Sequence, residues 1–275
     1  MGIEARVALA MQDYNNAAVY AGKSVSLAEA GGHRLMTGSQ LNCGFANITT
    51  DTKEAMYAAM TPDDKTVYFY SYYAYMSWNF NSSAIRQGVK CINVDAYETM
   101  AETDLRRAWW DPTGEASVPS SSYAKNAYQN RKFTARSTAD AVGDVAFMRL
   151  AEMYLTQAEA LARAGKDSEA QAVFTKFQIT RDPSYVSKGN IGDALAEEIM
   201  NSRRVELWGE GFALFDILRL KKPIIRKNTN YEAIVQFNLE PESQIMIYRI
   251  PQCEMETNKG IKEEDNNPAA PQPTV

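Results

Sequence analysis

Six charged side chains crowd the stretch between residues 203 and 219, and two of them are carboxylates with a spacing that acid–base chemistry could use. They are Arg203, Arg204, Glu206, Glu210, Asp216 and Arg219. Glu206 and Glu210 are four positions apart, so on a helix they share one face. A pair of carboxylates is also what a glycosidase uses as general acid and base. The sequence therefore leaves open a glycosidase that would use Glu206 and Glu210.

The arginines in the same stretch favour a different interpretation. An arginine beside a carboxylate holds it ionised, whereas a general acid needs a raised pKa. Ion-pair networks of this kind are common in protein scaffolds. We therefore interpret the six residues as a structural charge network and predict no catalytic residue.

A second group of residues combines aromatic rings with side-chain amides, as sugar-binding surfaces do. Eight aromatic residues fall within thirteen positions: Tyr68, Phe69, Tyr70, Tyr72, Tyr73, Tyr75, Trp78 and Phe80. A flat ring can cover the apolar face of a sugar while an amide bonds its hydroxyl groups. The predicted ligand-binding residues are Trp78, Tyr72, Tyr75, Asn79, Asn81, Trp109 and Trp110.

Trp78 is the best candidate for exposure, because it lies beside polar residues at a predicted loop tip. Trp109 and Trp110 are adjacent, so on a helix they face different ways, and we expect one of them to be structural. The alternative for all of these aromatic residues is that they fill a core, because most Tyr and Trp side chains are largely buried.

Composition excludes several other classes of site. His33 is the single histidine, which makes a histidine-based catalytic or metal site a poor fit. Cys43, Cys91 and Cys253 form no CxxC motif and no complete disulfide framework, and we expect them to be small buried residues. The GEGF segment at 209–212 lacks the layout of a phosphate-binding loop. We predict no metal and no cofactor.

Charge and hydropathy limit the partners. The net charge is −5 and the isoelectric point about 5.2, which argues against a nucleic-acid-binding protein. No apolar run approaches the roughly 18 residues that span a bilayer. The opening residues MGIEARVALAMQDY are too polar for a signal peptide, so we expect a truncated or processed chain.

Two helical pairs must form the scaffold. Ala5, Ala8 and Leu9, and then Ala17 and Ala21, recur at helical spacing, which predicts two helices over 3–30. Residues 145–183 repeat the arrangement, with Gly165 between the helices and a capping box at Ser168 and Gln171. These features are typical of tetratricopeptide repeats. Because a single pair cannot bury its own face, we expect other segments or further repeats to pack between the two.

The remaining segments are less regular. Residues 35–144 form a loop-rich region with a helix-like stretch at 51–60 and another near 95–110, and binding residues commonly lie on such loops. A further helix is predicted from Asp193, its N-cap, to Trp208.

Beyond that helix, Gly209 and Gly211 permit a sharp change of direction before the helix continues. A short strand is predicted at 245–251, followed by an irregular tail over 258–275. The fold class is mainly α, with tetratricopeptide-like helical pairs, an irregular ligand-facing segment and little strand.

Several segments resemble the SusD/RagB family of Bacteroidetes nutrient-binding proteins. They are RLAEMYLTQAEAL, ITRDP, EEIMNSRRVELWGEGFALFDILRL and IPQCEMETN with a later NNP. The DLRR segment at 104–107 is similar to a central Asp–Arg segment of that family. The resemblance implies a single domain over 1–275 that corresponds to the C-terminal part of a longer family fold.

The resemblance also implies a function. Such a protein is no enzyme: it captures a glycan at the cell surface and delivers it to a SusC-like, TonB-dependent porin in the outer membrane. Membrane contact would run only through a lipid anchor that this chain lacks. Two alternatives remain open, a RagB-like protein that binds peptides and a tetratricopeptide scaffold without a small ligand.

Overall fold

The computed structural model describes residues 1–62, 70–271 and 273. Tyr68 and Phe69 of the predicted aromatic group lie outside the described residues. The helices are α1 (Gly2–Ala10), α2 (Tyr14–Ala30), α3 (Ile48–Asp51), α4 (Tyr72–Met76), α5 (Ser83–Gln87), α6 (Val94–Glu98), α7 (Leu150–Arg163), α8 (Asp167–Gln178), α9 (Gly192–Glu206), α10 (Ala213–Arg219) and α11 (Gln252–Thr257). The strands are β1 (Ala55–Ala59), β2 (Trp110–Asp111), β3 (Gln129–Asn130) and β4 (Val145–Arg149).

The two helical pairs lie at the predicted places, but their packing differs from the expectation. No segment separates them, because α2 packs directly against α7, and α7 also packs against α8 and α9. Close approach is possible because the buried faces are rich in alanine, and Gly22 of α2 lies against the side chain of Gln157. One hydrophobic cluster thus holds α1, α2, α7, α8 and α9 together.

Local signals set some of the helix ends correctly. The side chain of Asp13 accepts a hydrogen bond from the backbone N–H of Asn16 and begins α2. Gly165 follows α7 in the left-handed conformation, as predicted, with φ of 74°.

Two predicted caps are wrong. The helix α8 begins at Asp167, so Ser168 lies inside its first turn rather than at the N-cap. The helix α9 begins at Gly192 after Ile191, which places Asp193 in its first turn. In both helices an acidic residue in the first turn complements the helix dipole instead.

The helix predicted at 51–60 is wrong, because this segment pairs with a distant one. Only Ile48–Asp51 is helical, and β1 then runs antiparallel to β4, with Ala55 opposite Arg149. The two strands are far apart in sequence, and strand preference depends on such tertiary pairing. The stretch near 95–110 is helical in two short pieces, α6 and the 3₁₀ turn Leu105–Trp109.

A second hydrophobic cluster lies in the loop-rich region and is largely aromatic. Its buried rings include Phe45, Tyr73, Trp109, Trp110 and Phe133. They pack mostly edge to face, as aromatic pairs prefer. The cysteines were expected to be buried, but Cys43 and Cys91 are half-buried and Cys253 is exposed.

The chain divides into two compact units, residues 1–213 and 214–275, and the single domain stays a prediction. In the second unit the strand predicted at 245–251 is wrong. A 3₁₀ turn occupies Gln244–Met246, and the described residues offer that segment no strand partner. The tail is tied back locally, because the side chains of Asn266 and Asn267 bond the backbone of Ile250 and Tyr248.

The described helices include none with the length and apolar character that crossing a bilayer requires.

Candidate functional site

Glu206 is the centre of a charge network buried in the first unit. Its side chain is fully buried and accepts hydrogen bonds from three arginines. One carboxylate oxygen lies 2.9 Å from nitrogens of both Arg149 and Arg181, and the other lies 3.1 Å from Arg181 and 3.3 Å from Arg106. Burial alone would raise the pKa of Glu206, but the charges of Arg181 and Arg149 hold it well below its usual value.

Glu210 shares the network through Arg149 and Lys132. One of its oxygens lies 2.7 Å from both Lys132 Nζ and an Arg149 nitrogen, and the other lies 2.8 Å from Arg149 Nε. Burial opposes ionisation, yet these two cations lower the pKa of Glu210. Burial also lowers the pKa of Lys132, to about 8.

The network is balanced in charge. Glu54 completes it by accepting from Arg149 and from Arg181, the latter at 2.8 Å, while Asp104 lies 2.7 Å from Arg106. Four carboxylates therefore face four cations: Glu54, Asp104, Glu206 and Glu210 against Arg106, Lys132, Arg149 and Arg181. A buried ion group is tolerated when every charge is paired and hydrogen-bonded in this way.

The structure places Glu206 and Glu210 in one buried network, but their cationic partners are not the ones that the sequence suggested. Helical spacing suggested the neighbouring arginines, but the cations come from distant segments. Arg204 is exposed, and Arg203 is buried with a hydrogen bond of 3.2 Å to the Thr156 hydroxyl. Asp216 and Arg219 pair with each other at 2.8 Å within the second unit.

This geometry removes the basis for the glycosidase alternative. A general acid must hold a proton near neutral pH, which requires a raised pKa. Glu206 and Glu210 have lowered pKa values and are enclosed by cations, so neither can present a proton to a substrate. The network joins the end of α9 to β4 and to the loop that carries Lys132.

Trp78 lies at the surface of the aromatic region in a fixed orientation. It is half-buried, and its indole Nε1 donates to the hydroxyl of Thr134 at 2.9 Å. The guanidinium of Arg131 lies 4.3 Å from the ring centroid, a cation–π contact. Arg131 is held in turn by the backbone carbonyls of Ala116 and Ser117.

Two more predicted residues come from the same short segment and reach solvent. The Tyr75 side chain is 46% exposed, and Asn81 is exposed. With Trp78 and Arg131 they form what we call the Trp78 surface. Tyr72 of the same segment makes interior contacts instead. Its hydroxyl donates to the carbonyl of Gly209 at 3.1 Å, and its ring packs on Phe133.

Three predicted binding residues lie in the core instead. Trp109 and Trp110 are only 1% and 3% exposed, and Trp109 Nε1 donates to the carbonyl of Leu41. Asn79 is buried and exchanges two hydrogen bonds with the backbone of Ala135. Their burial leaves no ring face or free amide for a ligand, so both tryptophans, rather than one of them, are structural.

Two features of the structure were not predicted from the sequence. Arg131 lies in a loop beside Lys132, and nothing in the adjacent sequence indicates that it lies on Trp78. Tyr57 and Phe147 face each other across the β1–β4 ribbon with ring centroids 5.6 Å apart, and both are largely exposed. Detecting that pair required the strand register, which local sequence did not predict.

The chain matches a known protein family over most of its length. The sequence model of that family, the SusD family, matches residues 8–268. The chain belongs to the SusD family. The resemblance and the mainly helical fold inferred from sequence are therefore confirmed. The SusD-like protein P38 of Formosa agariphila is 30% identical over 89 residues, which are 30% of this chain and 18% of that protein.

Solved structures of the SusD family share the fold. A SusD-like carbohydrate binding protein from Bacteroides vulgatus has a TM-score of 0.76 at 24% identity, over 98% of this chain and 59% of its own. Surface glycan-binding protein A from Bacteroides fluxus has a TM-score of 0.64 at 19% identity, over 96% of this chain and 60% of its own. This chain therefore spans about three fifths of the length of these solved SusD relatives.

Proposed function

We propose that this SusD-family chain captures an oligosaccharide through the Trp78 surface and takes no part in catalysis. The carrying observation is a solvent-contacting indole fixed in orientation by Thr134 and Arg131. A preorganised ring loses little freedom when a sugar stacks on it. Asn81 and Arg131 would bond hydroxyl groups beside the ring. A solved SusD-like protein is described as carbohydrate binding and a second structural relative as glycan-binding, which supports this ligand class.

Family membership supports a proposal about the cellular location and the protein partner. We propose that the protein acts at the outer membrane on the cell surface and delivers its glycan to a SusC-like, TonB-dependent porin. We propose that membrane contact runs through a lipid anchor. We propose that the helices α1, α2, α7 and α8, which share one hydrophobic cluster, form the side that meets this partner.

The first test measures glycan binding by the wild type and by Trp78→Ala. A glycan array selects the ligand, and calorimetry then compares the two proteins. We expect Trp78→Ala to weaken binding by about 1–3 kcal/mol, the scale of an anchor aromatic residue. Trp78→Phe keeps a ring without the Thr134 hydrogen bond and should lose less.

Tyr248→Ala is the matched control, because Tyr248 is an exposed aromatic residue of the second unit. Its affinity should equal that of the wild type. Unchanged affinity in a folded Trp78→Ala protein would remove the Trp78 surface from the site. Binding to a peptide library but to no glycan would replace the glycan with a peptide ligand.

A further inference from the structure

A cavity of about 350 Å³ lies on the side of α9 that faces α8 and residues 99–106. This volume falls within the usual range for small-molecule sites. It shares no residue with the Trp78 surface, so nothing in the proposed glycan binding accounts for it.

Asp182 is the unusual residue of this cavity. It is one of the residues that line the cavity, yet it is only 3% exposed. One carboxylate oxygen accepts the backbone N–H of Ser184 at 3.0 Å. Among the described residues no lysine or arginine nitrogen comes within 4.0 Å of the carboxylate. The neighbouring Arg181 points elsewhere, towards Glu54 and Glu206.

An enclosed carboxylate without a cation is costly. Removing a charge from water is unfavourable unless an opposite charge or several hydrogen bonds replace the lost solvation. Every carboxylate of the Glu206 network has such a cation, and Asp182 has none. The cavity lies beside Asp182, so a positive charge can approach the carboxylate from there.

The other residues that line the cavity also include more negative than positive side chains. Glu197 and Glu198 add two carboxylates, against the single ammonium of Lys188, which lies 3.8 Å from Glu198 and is largely exposed. Asp104 and Arg106 also line the cavity, but they neutralise each other at 2.7 Å. By formal charge, the lining residues therefore include four carboxylates and two cations.

Asn201 supplies a neutral polar group. It is half-buried on α9 and lines the cavity, and its side-chain amide has no hydrogen-bond partner among the described residues. The apolar part of the wall comes from Met100, Phe174 and Val205. An apolar wall beside carboxylates suits a ligand that has an alkyl chain and a positively charged end group.

We propose that this cavity binds a primary ammonium group on a short aliphatic chain, with Asp182 as its counter-charge and Asn201 as a hydrogen-bond acceptor. A bare metal ion fits less well, because the described residues bring no three acidic, histidine or cysteine groups together as metal ligands. The ammonium can belong to a free amine or to a lysine side chain of a peptide, since both offer the same chemistry.

Calorimetry with matched small molecules tests the class of ligand. The probes are 1,5-diaminopentane, 1,5-pentanediol and glutarate, which share a chain length and differ in charge. We expect the diamine to bind and the diol and the diacid to give no binding heat. Nα-acetyl-lysine amide then separates the sources: binding as tight as that of the diamine indicates a lysine side chain, and weaker binding indicates a free amine. Equal binding of diamine and diol, or no diamine binding at millimolar concentration, overturns the proposal.

Two variants test the residues. Asp182→Asn keeps an oxygen for the Ser184 N–H and removes the charge, and we expect roughly tenfold weaker diamine binding. The matched control is Asp193→Asn, an equal charge change at an exposed position of α9 outside the cavity lining, and it should bind as the wild type does. Equal losses in the two variants would mean general electrostatic attraction and would refute a site at Asp182.

If Asp182→Asn does not fold, Asn201→Ala carries the test. This half-buried amide has no partner to lose, so its removal should leave the fold intact. We expect about threefold weaker diamine binding, the scale of one lost neutral hydrogen bond. Unchanged affinity in Asn201→Ala would overturn the assignment.

Discussion

At the residue scale, Glu206 illustrates how neighbouring charges keep a buried carboxyl group ionised and inert. A carboxylate in an apolar pocket gains a proton and can act as an acid. The same carboxylate among Arg106, Arg149 and Arg181 stays ionised and orders three segments of chain around itself. The residue type is identical, and only the surrounding charges decide between the two outcomes.

Replacing Glu206 with glutamine should destabilise the protein strongly. The change leaves three arginines short of a partner in a dry interior, and we expect the free energy of unfolding at pH 7 to fall by about 3–5 kcal/mol. Urea denaturation followed by circular dichroism measures this. Glu102→Gln, the same change at an exposed position, should have almost no effect. A loss below 1 kcal/mol in Glu206→Gln would contradict the structural assignment of the network.

The pH dependence of stability gives the same variant a second readout. The folded pKa of Glu206 lies well below the unfolded value near 4.5, so on acidification the unfolded state takes up the proton first. Its contribution is therefore complete above about pH 4.5 and is lost as the pH falls through the folded pKa. Wild-type stability should fall more steeply below that pH than the stability of Glu206→Gln. Parallel curves would exclude this linkage.

At the scale of elements, the turn after α9 depends on two glycines with different surroundings. Both adopt left-handed backbone, with φ of 79° at Gly209 and 88° at Gly211. A Cβ at Gly209 would lie 2.7 Å from the Phe133 ring and 2.9 Å from Met76, whereas a Cβ at Gly211 would meet nothing within 4 Å. Substitutions at the two glycines therefore distinguish the cost of backbone strain from the cost of side-chain packing.

Gly209→Ala should therefore destabilise the protein more than Gly211→Ala does. Both variants carry the cost of a side chain at positive φ, about 1 kcal/mol. Only Gly209→Ala adds overpacking against Phe133, which costs about 1–3 kcal/mol more. Thermal and urea unfolding of the two variants gives the difference directly. Equal losses of unfolding free energy in the two variants would mean that the aromatic cluster accommodates the added methyl group without an energetic cost.

At the scale of the whole molecule, hydrophobic burial is unevenly distributed. All the fully buried hydrophobic side chains that the structure describes lie between Ala5 and Leu207. The described part of the second unit buries Asp216 and Arg219 but no hydrophobic residue to the same degree. A fold without a buried apolar core has little to offset the conformational entropy of the chain.

Expressing the two units separately tests this distribution. We expect residues 1–213 to give a helical circular dichroism spectrum and a cooperative thermal transition. Residues 214–275 alone should show neither, because so small a unit without a core is marginal at best. A cooperative transition in the 214–275 fragment, or the absence of one in the 1–213 fragment, would contradict the assignment of the hydrophobic core to the first unit.

Features that depend on neighbours along the chain could be predicted from the amino-acid sequence. Periodic alanine and leucine placed α1, α2, α7 and α8, and Gly165 ended α7, because helices form from contacts three and four residues apart. The same local signals separated the rings and amides of the region around Trp78 from the scaffold. They also indicated that Glu206 and Glu210 belong to a structural ion group.

Contacts between residues that are distant in sequence could not be predicted and become visible only in the folded chain. The cations of the Glu206 network come from segments as far apart as Arg106 and Arg181, and β1 finds its partner in β4 about ninety residues away. Burial of Trp109 and the position of Arg131 on Trp78 depend on the same long-range folding. Contacts of this kind follow from how the whole chain buries its apolar surface, and sequence spacing carries no record of that arrangement.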